Sequence, residues 1–351
     1  MISIAMATYN GEKFIREQLD SILTQTITDW ELIVCDDVST DSTTAILEEY
    51  AQKDVRIKIY QNKLNLGFKR NFEKAIDLCT GEYIALCDQD DIWYPKHLEI
   101  LLNQINNYSL SIGNSDIVDK NNVFLNKRMS DTDQIQFIPE DYRKLLYREL
   151  FYANPFQGAS MLLKRDFAQK CIPIPEEVKY HDAWISICAC VDQGLVYTYE
   201  PITRYRQHEE NITINSNRKN GITKWQIMCD YISKTLKTYS GRHHSTSDRF
   251  AMLDCLNQRF DCQYLDFTRI CLLMEHAKKQ KLTISDVVFI WKNIEYITTT
   301  RSKKGFLRFW SIQRVNIVIN ISFNIVFGFV SDTLSRHIIH DTSHTSCSYD
   351  D

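Results

Sequence analysis

Short apolar runs alternate with amphipathic runs through the first hundred residues, and this alternation restricts the choice of folds more than any other feature of the sequence. Four apolar, β-prone runs are separated by segments with apolar residues at helical spacing, and these four are 2–9 (ISIAMATY), 30–37 (WELIVCDD), 56–62 (RIKIYQN) and 83–88 (YIALCD). The order β-α-β-α-β-α-β predicts an α/β fold with a largely parallel sheet, covered by helices on both faces.

Polar side chains follow three of the four predicted strands. Thr8, Tyr9 and Asn10 come after the first strand, Asp36-Asp37 closes the second, and Asp88-Gln89-Asp90-Asp91 follows the fourth. In open α/β sheets ligands bind outside the carboxyl ends of the strands. We therefore expect all three groups to lie on one edge of the sheet, around one site.

The fourth strand end carries three carboxylates, Asp88, Asp90 and Asp91, within four residues. Such a cluster repels itself unless a cation lies among its members, and an Asp-x-Asp pair suits a divalent metal that keeps waters and bridges two phosphates. The alternative is a helix N-terminus, because acidic residues favour a first turn and Pro95 precedes a predicted helix over 96–107. Asp36-Asp37 favours a site, since capping does not explain both clusters.

Composition excludes several classes of protein. The chain has 351 residues, 44% of them hydrophobic and 25% charged, which predicts a folded protein with one large domain and an appendage. A net charge of -4 argues against a nucleic-acid partner. Neither GxGxxG nor GxxxxGK[ST] occurs, which disfavours dehydrogenases, kinases and GTPases.

The cysteines and the N-terminus bear on the cellular compartment. Eleven cysteines are scattered, mostly inside apolar runs, which is typical of reduced thiols in the cytoplasm. The N-terminus MISIAMATY has no basic segment and no cleavage signal, so we expect no signal peptide. Both observations predict a cytoplasmic protein.

Four ordered motifs carry a family resemblance, and they are MATYNGEKFIREQLDSILTQT, WELIVCDDVSTDST, NLGFKRNFEKAI and GEYIALCDQDDIWYP. In order and spacing they resemble the N-terminal half of family 2 glycosyltransferases with the GT-A fold, over residues 2–105 and more loosely over 158–213. The forms DQDDIW, YHDAW (180–184) and YRQHEEN (205–211) are similar to bacterial rhamnosyltransferases of surface-polysaccharide assembly.

The resemblance implies an inverting transfer of one sugar, dependent on Mn²⁺ or Mg²⁺, from a nucleoside diphosphate sugar to a hydroxyl of a lipid-linked oligosaccharide acceptor. The donor it favours is dTDP-L-rhamnose, and a UDP-hexose or UDP-galactofuranose donor is the alternative. A sugar-nucleotide-binding protein without catalysis and a nucleotidyltransferase are the competing classes. The Gln-x-x-Arg-Trp motif of many processive members does not occur, which favours addition of a single sugar.

The resemblance also assigns roles residue by residue. Expected to bind the nucleotide are Thr8, Tyr9, Asn10, Glu12, Asp37, Lys69, Arg70, Asn71 and Asp88, with Asp37 on the base and Asp88 on the ribose. Expected metal ligands are Asp90 and His208. Expected near the donor sugar or acceptor are Asp91, Trp93, Gln157, Gly158 and His181. Asp182 matches the catalytic base, which an in-line inverting attack requires.

Structural alternatives stand beside several of these roles. Asp182 could cap a helix that begins at Ala183, and Trp93 could simply pack in the core. His208 could be an ordinary surface histidine, because imidazole is only a secondary ligand for Mn²⁺ or Mg²⁺. His181 is expected to tune its neighbour Asp182.

The predicted domain organisation has three parts. Residues 1–213 form the GT-A catalytic domain, with a nucleotide-binding half (1–105) and an acceptor half (106–213) whose further strands are expected at 158–165, 195–200 and 202–208. Helical periodicity predicts a C-terminal helical region over 214–335, and the polar residues 336–351 predict a disordered tail.

The most apolar segment lies at 306–330, but its last uncharged stretch has 16 residues, short of the ~20 that span a bilayer. Asn316, Asn320 and Asn324 recur every four residues, which indicates an amphipathic helix, and basic residues precede it. This pattern predicts a peripheral anchor on the inner face of the cytoplasmic membrane. The alternative is a helix packed on the catalytic domain or on a second copy of the chain.

Overall fold

A computed structural model describes residues 1–131, 154, 156–209 and 246–260. Its centre is one nine-stranded sheet, with β1 Ile2–Thr8, β2 Trp30–Asp36, β3 Ile57–Gln61, β4 Tyr83–Cys87, β5 Ile92–Trp93, β6 Leu110–Asp119, β7 Phe124–Arg128, β8 Met161–Lys164 and β9 Leu195–Gln207. The strand order is β3-β2-β1-β4-β8-β6-β9-β5, and β7 pairs with β6 outside this path.

The first four strands are mutually parallel, as the sequence predicts. β1 lies between β2 and β4, and β3 extends the sheet beyond β2. β8 runs antiparallel between β4 and β6, whereas β6 and β9 are parallel to each other. The carboxyl ends of β1, β2, β4, β6 and β9 therefore share one edge, and the sheet is mixed overall.

Helices cover both faces of the sheet. They are α1 Ile15–Leu23, α2 Thr43–Lys53, α3 Gly67–Leu78, α4 His97–Ile105, α5 Arg165–Cys171, α6 His181–Val191 and α7 Thr246–Phe260. Helices α1, α2 and α4 enclose one apolar core, and α3, α5, α6 and α7 enclose the other. In α3 the buried Phe72, Ala75 and Ile76 have the i, i+3, i+4 spacing of one helix face. Each large apolar side chain so buried stabilises the fold by about 1.5–3 kcal/mol.

Strand β6 lies in the middle of the acceptor half, although its sequence does not predict a strand. Its residues Ser111, Asn114 and Ser115 are buried. Each finds a partner: Gln104 Nε2 donates to Ser111 Oγ (2.7 Å), Asn114 Nδ2 donates to the Tyr199 carbonyl (2.8 Å), and the Ser115 and Ser160 hydroxyls are 3.0 Å apart. These hydrogen bonds offset the cost of burying polar groups in a strand.

Two predicted strands, 195–200 and 202–208, form the single strand β9. The β6–β9 register shifts on either side of the Asn114–Pro201 pair. Pro201 has no N–H to donate, so a bulge there keeps the strand continuous. The strand predicted at 158–165 is shorter, because Gly158–Ser160 forms a 3₁₀ turn before β8.

Helix α7 is the described part of the predicted C-terminal helical region. Its Met252 and Leu256 are buried in the core shared with α6, and Arg259 donates to the carbonyls of Cys171 (3.1 Å) and Pro173 (2.8 Å). The predicted anchor at 306–330 and the predicted tail at 336–351 lie outside the described residues. Within the described part of the chain, no helix is both long enough and apolar enough to cross a membrane.

Candidate active site

The turn after β1 is tied to the loop after β2. Thr8 Oγ1 donates to Asp36 Oδ1 (3.0 Å), and Asn10, with a positive φ of 49°, accepts the Thr40 N–H on its side-chain oxygen (2.8 Å). Glu12 Oε2 accepts the Ser42 N–H at 2.9 Å. Thr8, Asn10 and Glu12, all predicted to line the nucleotide pocket, therefore lie at the carboxyl edge of the sheet. Their hydrogen bonds hold the turn after β1 against the loop after β2.

Tyr9 is the exposed member of this turn, with 49% of its surface accessible. Its backbone N–H donates to Gln89 Oε1 (2.9 Å), and its carbonyl accepts from Gln89 Nε2 (3.0 Å). Gln89 thereby links the end of β1 to the end of β4. Gln89 had no role in the sequence prediction, although its place between Asp88 and Asp90 was a signal for it.

Asp37 is buried and already bonded to protein. Its carboxylate accepts Asn62 Nδ2 (2.7 Å) and the backbone N–H groups of Leu66 and Gly67 (both 2.8 Å) at the start of α3. The structure thus gives this carboxylate a capping role. Its expected bond to the nucleotide base stays a prediction.

Lys69, Arg70 and Asn71 also have protein partners. Lys69 Nζ donates to the carbonyls of Pro175 (3.1 Å), Glu176 (3.2 Å) and Val178 (3.2 Å). Arg70 donates to the Ile174 carbonyl and pairs with Glu73 and Glu176, and Asn71 Nδ2 donates to the Cys35 carbonyl at 2.7 Å. Lys69 and Arg70 hold the segment 174–178, which leads into α6. Their closure over the base and ribose stays a prediction.

The end of β4 and the end of β9 meet at Asp90 and His208. Asp90 Oδ2 lies 2.8 Å from His208 Nε2, and the Phe14 ring lies 4.6 Å from the imidazole between centroids. Both side chains are largely enclosed. The two predicted metal ligands, 118 residues apart in sequence, are therefore in direct contact.

A buried arginine, Arg206, lies behind this pair. Its backbone N–H donates to Asp91 Oδ1 (2.9 Å), and its guanidinium donates to the Asp90 carbonyl (2.8 Å) and to Glu17 Oε2 (2.8 Å). The guanidinium carbon lies 4.8 Å from the Phe14 ring centroid. Arg206 thus fixes the backbone around Asp90 and His208. Arg206 lies in the motif YRQHEEN, of which only His208 was a predicted site residue.

Asp91 and Trp93 face the protein interior. Both side chains are buried, and burial raises the pKa of Asp91 well above its usual range, with the charges of Asp90 and Asp88 adding to the shift. The Trp93 ring stacks on His97 with 3.8 Å between centroids. Packing, the alternative weighed for Trp93, accounts for its contacts. Asp91 supports strand β9 by accepting the backbone N–H of Arg206. A direct contact of Asp91 or Trp93 with a sugar stays a prediction.

Helix α6 begins with His181 and Asp182. The His181 ring is buried against Phe72 (4.1 Å between centroids), and burial lowers its pKa to about 4, so the ring is neutral near pH 7. Gly158 lies against this ring, because a Cβ there would come within 2.6 Å of His181 Nε2. The structure thus brings together His181 and Gly158, with Gln157 preceding the same turn.

The Asp182 carboxylate accepts the Ala183 N–H at 2.6 Å and further hydrogen bonds from the Asn154 side chain and the Gly158 N–H. Burial outweighs these bonds and raises the pKa of Asp182 to about 6. Both weighed roles are compatible with this geometry, since the residue lies in the first turn of α6 and its pKa suits a base near pH 7. Asn154 was not predicted from the sequence.

Asp88 connects the β4 end to α6. Burial, then the charge of Asp90 and then that of Asp182, raise its pKa to about 8. The charge of Asp182 thus contributes to the raised pKa of Asp88, although the two residues are 94 positions apart in the sequence. The carboxylates predicted for the metal, the ribose and the base thus converge on one edge of the sheet.

The Asp90–His208 pair fits a divalent cation. Adjacent ligands of an octahedral ion at 2.0–2.1 Å are about 3 Å apart, close to the 2.8 Å between Asp90 Oδ2 and His208 Nε2. Among the described residues no group of three or more His, Cys, Asp or Glu side chains could hold a metal. The protein would therefore supply two ligands and leave the others to substrate phosphates and water, an arrangement typical of Mg²⁺ sites.

Comparison with known proteins bears on this site. The model of the family "Glycosyl transferase family 2" matches residues 3–172. An uncharacterized glycosyltransferase of Methanocaldococcus jannaschii is 31% identical over 251 residues, which cover 68% of this chain and 79% of that protein.

Two further relatives, whose names specify a donor, are similar over comparable lengths. The UDP-Glc:alpha-D-GlcNAc-diphosphoundecaprenol beta-1,3-glucosyltransferase WfgD of Escherichia coli is 27% identical over 239 residues, covering 67% of this chain and 88% of that protein. The dTDP-rhamnosyl transferase RfbG of Shigella flexneri is 30% identical over 231 residues, covering 59% and 72% respectively. With the family model, the relatives and the mixed α/β sheet in agreement, this chain belongs to glycosyltransferase family 2 and is a glycosyltransferase.

Proposed function

We propose that this protein transfers one sugar, with inversion and with help from a divalent metal, from a nucleoside diphosphate sugar to a hydroxyl of a lipid-linked bacterial surface glycan. The observation that carries the proposal is the convergence of Asp182 with Asp88 and Asp90 at one edge of the sheet. Inversion by a single displacement needs a base on one side of the anomeric carbon and leaving-group stabilisation on the other.

Asp182 is the proposed base. Its pKa of about 6 leaves the carboxylate ionised at neutral pH and basic enough to accept the proton of an acceptor hydroxyl. Asn154 and the Gly158 N–H orient the carboxylate. His181 and Gly158, packed against each other beside it, form the wall against which the sugar would lie.

Asp90 and His208 are the proposed metal ligands, with Mn²⁺ or Mg²⁺ as the ion. Such a cation, when bound, stabilises the negative charge that develops on the departing diphosphate. Arg206 and Phe14 hold these two ligands in place. A bound cation would lower the pKa of Asp88, because a nearby positive charge favours the ionised carboxylate. The ionised carboxylate is the form that accepts hydrogen bonds from the ribose hydroxyls.

For the donor we propose dTDP-L-rhamnose, with UDP-hexoses and UDP-galactofuranose as the alternatives. The similarity to RfbG, described as a dTDP-rhamnosyl transferase, supports the first, and the similarity to WfgD, described as a UDP-Glc-dependent enzyme, supports a UDP-hexose. The WfgD acceptor is a diphosphoundecaprenol-linked sugar, which supports an acceptor of the same chemical class here.

Calorimetry of the full chain with dTDP, UDP and GDP, with and without Mn²⁺, tests the proposal. We expect binding of dTDP or UDP that tightens when Mn²⁺ is present, and transfer of the matching sugar to a polyprenyl diphosphate-linked acceptor, followed by mass spectrometry. Absence of nucleotide binding under both conditions would overturn the proposed function. Binding without transfer to any acceptor would favour a sugar-nucleotide-binding protein.

A further inference from the structure

Strand β7 pairs with the C-terminal half of β6, outside the main path of the sheet, and forms a hairpin with it. Every residue of β7, Phe124–Arg128, is exposed, and so is the preceding Val123. Each of the other eight strands in the described sheet has at least one buried residue. A strand that is exposed on both faces contributes little to the core, so its apolar side chains call for another explanation.

Three consecutive apolar residues follow the turn of this hairpin. Val123, Phe124 and Leu125 are 58%, 42% and 46% exposed. Side chains alternate along a strand, so Phe124 and Leu125 lie on opposite faces of β7, and both faces carry an exposed apolar side chain at this end of the hairpin. A single exposed apolar residue, such as Val55 at 91%, is ordinary, whereas several exposed apolar residues at one end of a hairpin suit a contact surface. We call residues 120–128 the β6–β7 hairpin tip.

Two lysines flank the apolar cluster. Lys120 and Lys127 are exposed, and within the described residues neither ammonium group pairs with a carboxylate. Arg128, by contrast, is held by Asp116 at 2.9 Å. The chain as a whole has a net charge of -4, whereas the hairpin tip combines exposed apolar side chains with ammonium groups that have no carboxylate partner among the described residues. It is the combination by which a protein surface binds anionic lipid.

The tip lies at the same edge of the sheet as the candidate active site. β6 and β9 are parallel, and Asp119 is paired with Gln207, which directly precedes His208. Arg206 Nη1 donates to the Lys120 carbonyl (2.8 Å), and Arg204 Nη1 donates to Asn122 Oδ1 (3.2 Å). A surface that contacts the tip therefore lies beside the metal-ligand pair.

We propose that the β6–β7 hairpin tip docks this enzyme on an anionic membrane surface. Val123, Phe124 and Leu125 enter the interfacial layer, and Lys120 and Lys127 contact lipid phosphates. The purpose of this docking rests on the proposed function: the docked tip would present the active-site edge to an acceptor whose lipid is anchored in that membrane. The docking itself needs neither donor nor acceptor.

Vesicle sedimentation of the full chain tests the proposal, with vesicles of phosphatidylcholine alone and of phosphatidylcholine with phosphatidylglycerol. We expect binding to the anionic vesicles and about a tenfold fall in partitioning for the triple variant Val123→Ser, Phe124→Ser, Leu125→Ser. The control Val55→Ser removes an exposed apolar side chain remote from the tip and is expected to bind like the unaltered protein. If the triple variant bound as well as the control, the contact would lie elsewhere and the proposal would be overturned.

The charge contribution is tested separately. Lys120→Glu with Lys127→Glu is expected to weaken binding to the anionic vesicles several-fold at low salt, and added salt is expected to reduce the difference. Equal binding to both vesicle types would contradict the anionic surface. Donor binding by calorimetry is expected to be unchanged in the triple variant, so a failure of docking and a failure of the proposed function give different results.

Discussion

Two groups of polar residues lie at the same edge of the sheet, and they differ in how completely the protein satisfies them. Around α3, Asp37 accepts three hydrogen bonds, and Lys69 and Arg70 are bonded to the segment 174–178. Between β4 and α6, the Asp88 carboxyl accepts no hydrogen bond from the described residues, and burial and like charges raise its pKa.

Hydrogen bonds alone do not separate the two groups, because Asp182 also accepts three of them. The second group is distinguished by buried carboxyls with raised pKa values, about 8 for Asp88 and about 6 for Asp182. A carboxyl held in an unfavourable electrostatic environment costs stability, and such costs concentrate at functional sites. The comparison predicts that substitutions in the two groups will have different signatures.

The largest effect is expected for Asp182→Asn. Removing a general base typically costs about 10²–10⁴-fold in rate, so transfer should fall by that factor while donor binding stays unchanged. Radiolabelled sugar transfer and calorimetry measure the two quantities. Asp77→Asn, on the exposed side of α3, is the matched control. A near-normal rate for Asp182→Asn would leave Asp182 with its capping role alone.

Next in size is Asp90→Ala. It leaves His208 as the single remaining member of the pair, so we expect the affinity for Mn²⁺ to fall by at least the roughly 10–100-fold that is typical when a residue supporting a metal ligand is removed. Paramagnetic resonance of Mn²⁺ in the absence of donor measures this directly. Unchanged Mn²⁺ affinity would place the metal away from the Asp90–His208 contact.

The pH dependence of transfer should reveal the raised pKa of Asp182. The proposed base works only when ionised, so kcat/KM is expected to rise about tenfold per pH unit up to about pH 6 and then level off. The profile is measured at saturating metal. A flat profile down to pH 5 would contradict the assignment of Asp182.

A smaller effect, about tenfold, is expected for Lys69→Met. If Lys69 positions the segment before α6, kcat should fall because the base is misplaced, and the donor Kd should not change. A rise in the donor Kd at constant kcat would instead support the predicted contact with the nucleotide. Lys53→Met, in the exposed pair with Glu49, is the control.

The smallest effect is a gain in stability for Asp88→Asn. The folded-state pKa of about 8 lies above the ordinary 3.8, so the contribution of this group to stability is present below about pH 4 and is lost as the pH rises through 8. Asparagine carries no charge at any pH. We therefore expect the Tm of the metal-free variant to rise by about 2–5 °C at pH 8.5 and to be unchanged at pH 4. Calorimetry at the two pH values measures the difference.

Much of the fold could be predicted where apolar periodicity is strong. β1 to β4 and the helices between them follow directly from it, whereas β6 could not be predicted because Ser111, Asn114 and Ser115 interrupt its apolar pattern. The hydrogen-bond partners that offset the burial of these polar side chains come from α4, from the turn before β8 and from β9. The local sequence of β6 does not reveal these partners.

The candidate site divides in the same way. Asp88 and Asp90 could be placed at a strand end from sequence, and the family resemblance added Asp182 and His208. Neither source anticipated that Lys69 would bond to carbonyls more than a hundred residues away, or that Arg206 would lie behind the proposed metal ligands.

In the first hundred residues the amino-acid sequence alone determined which segments become strands and helices, and therefore which residues stand at the carboxyl ends of β1, β2 and β4, because hydrophobic periodicity acts locally. Tertiary structure decided which of those polar groups find partners inside the protein, because hydrogen bonds and charge repulsion depend on distances between residues far apart in the chain. Lys69 became part of the scaffold in this way, and Asp88 and Asp182 became neighbours.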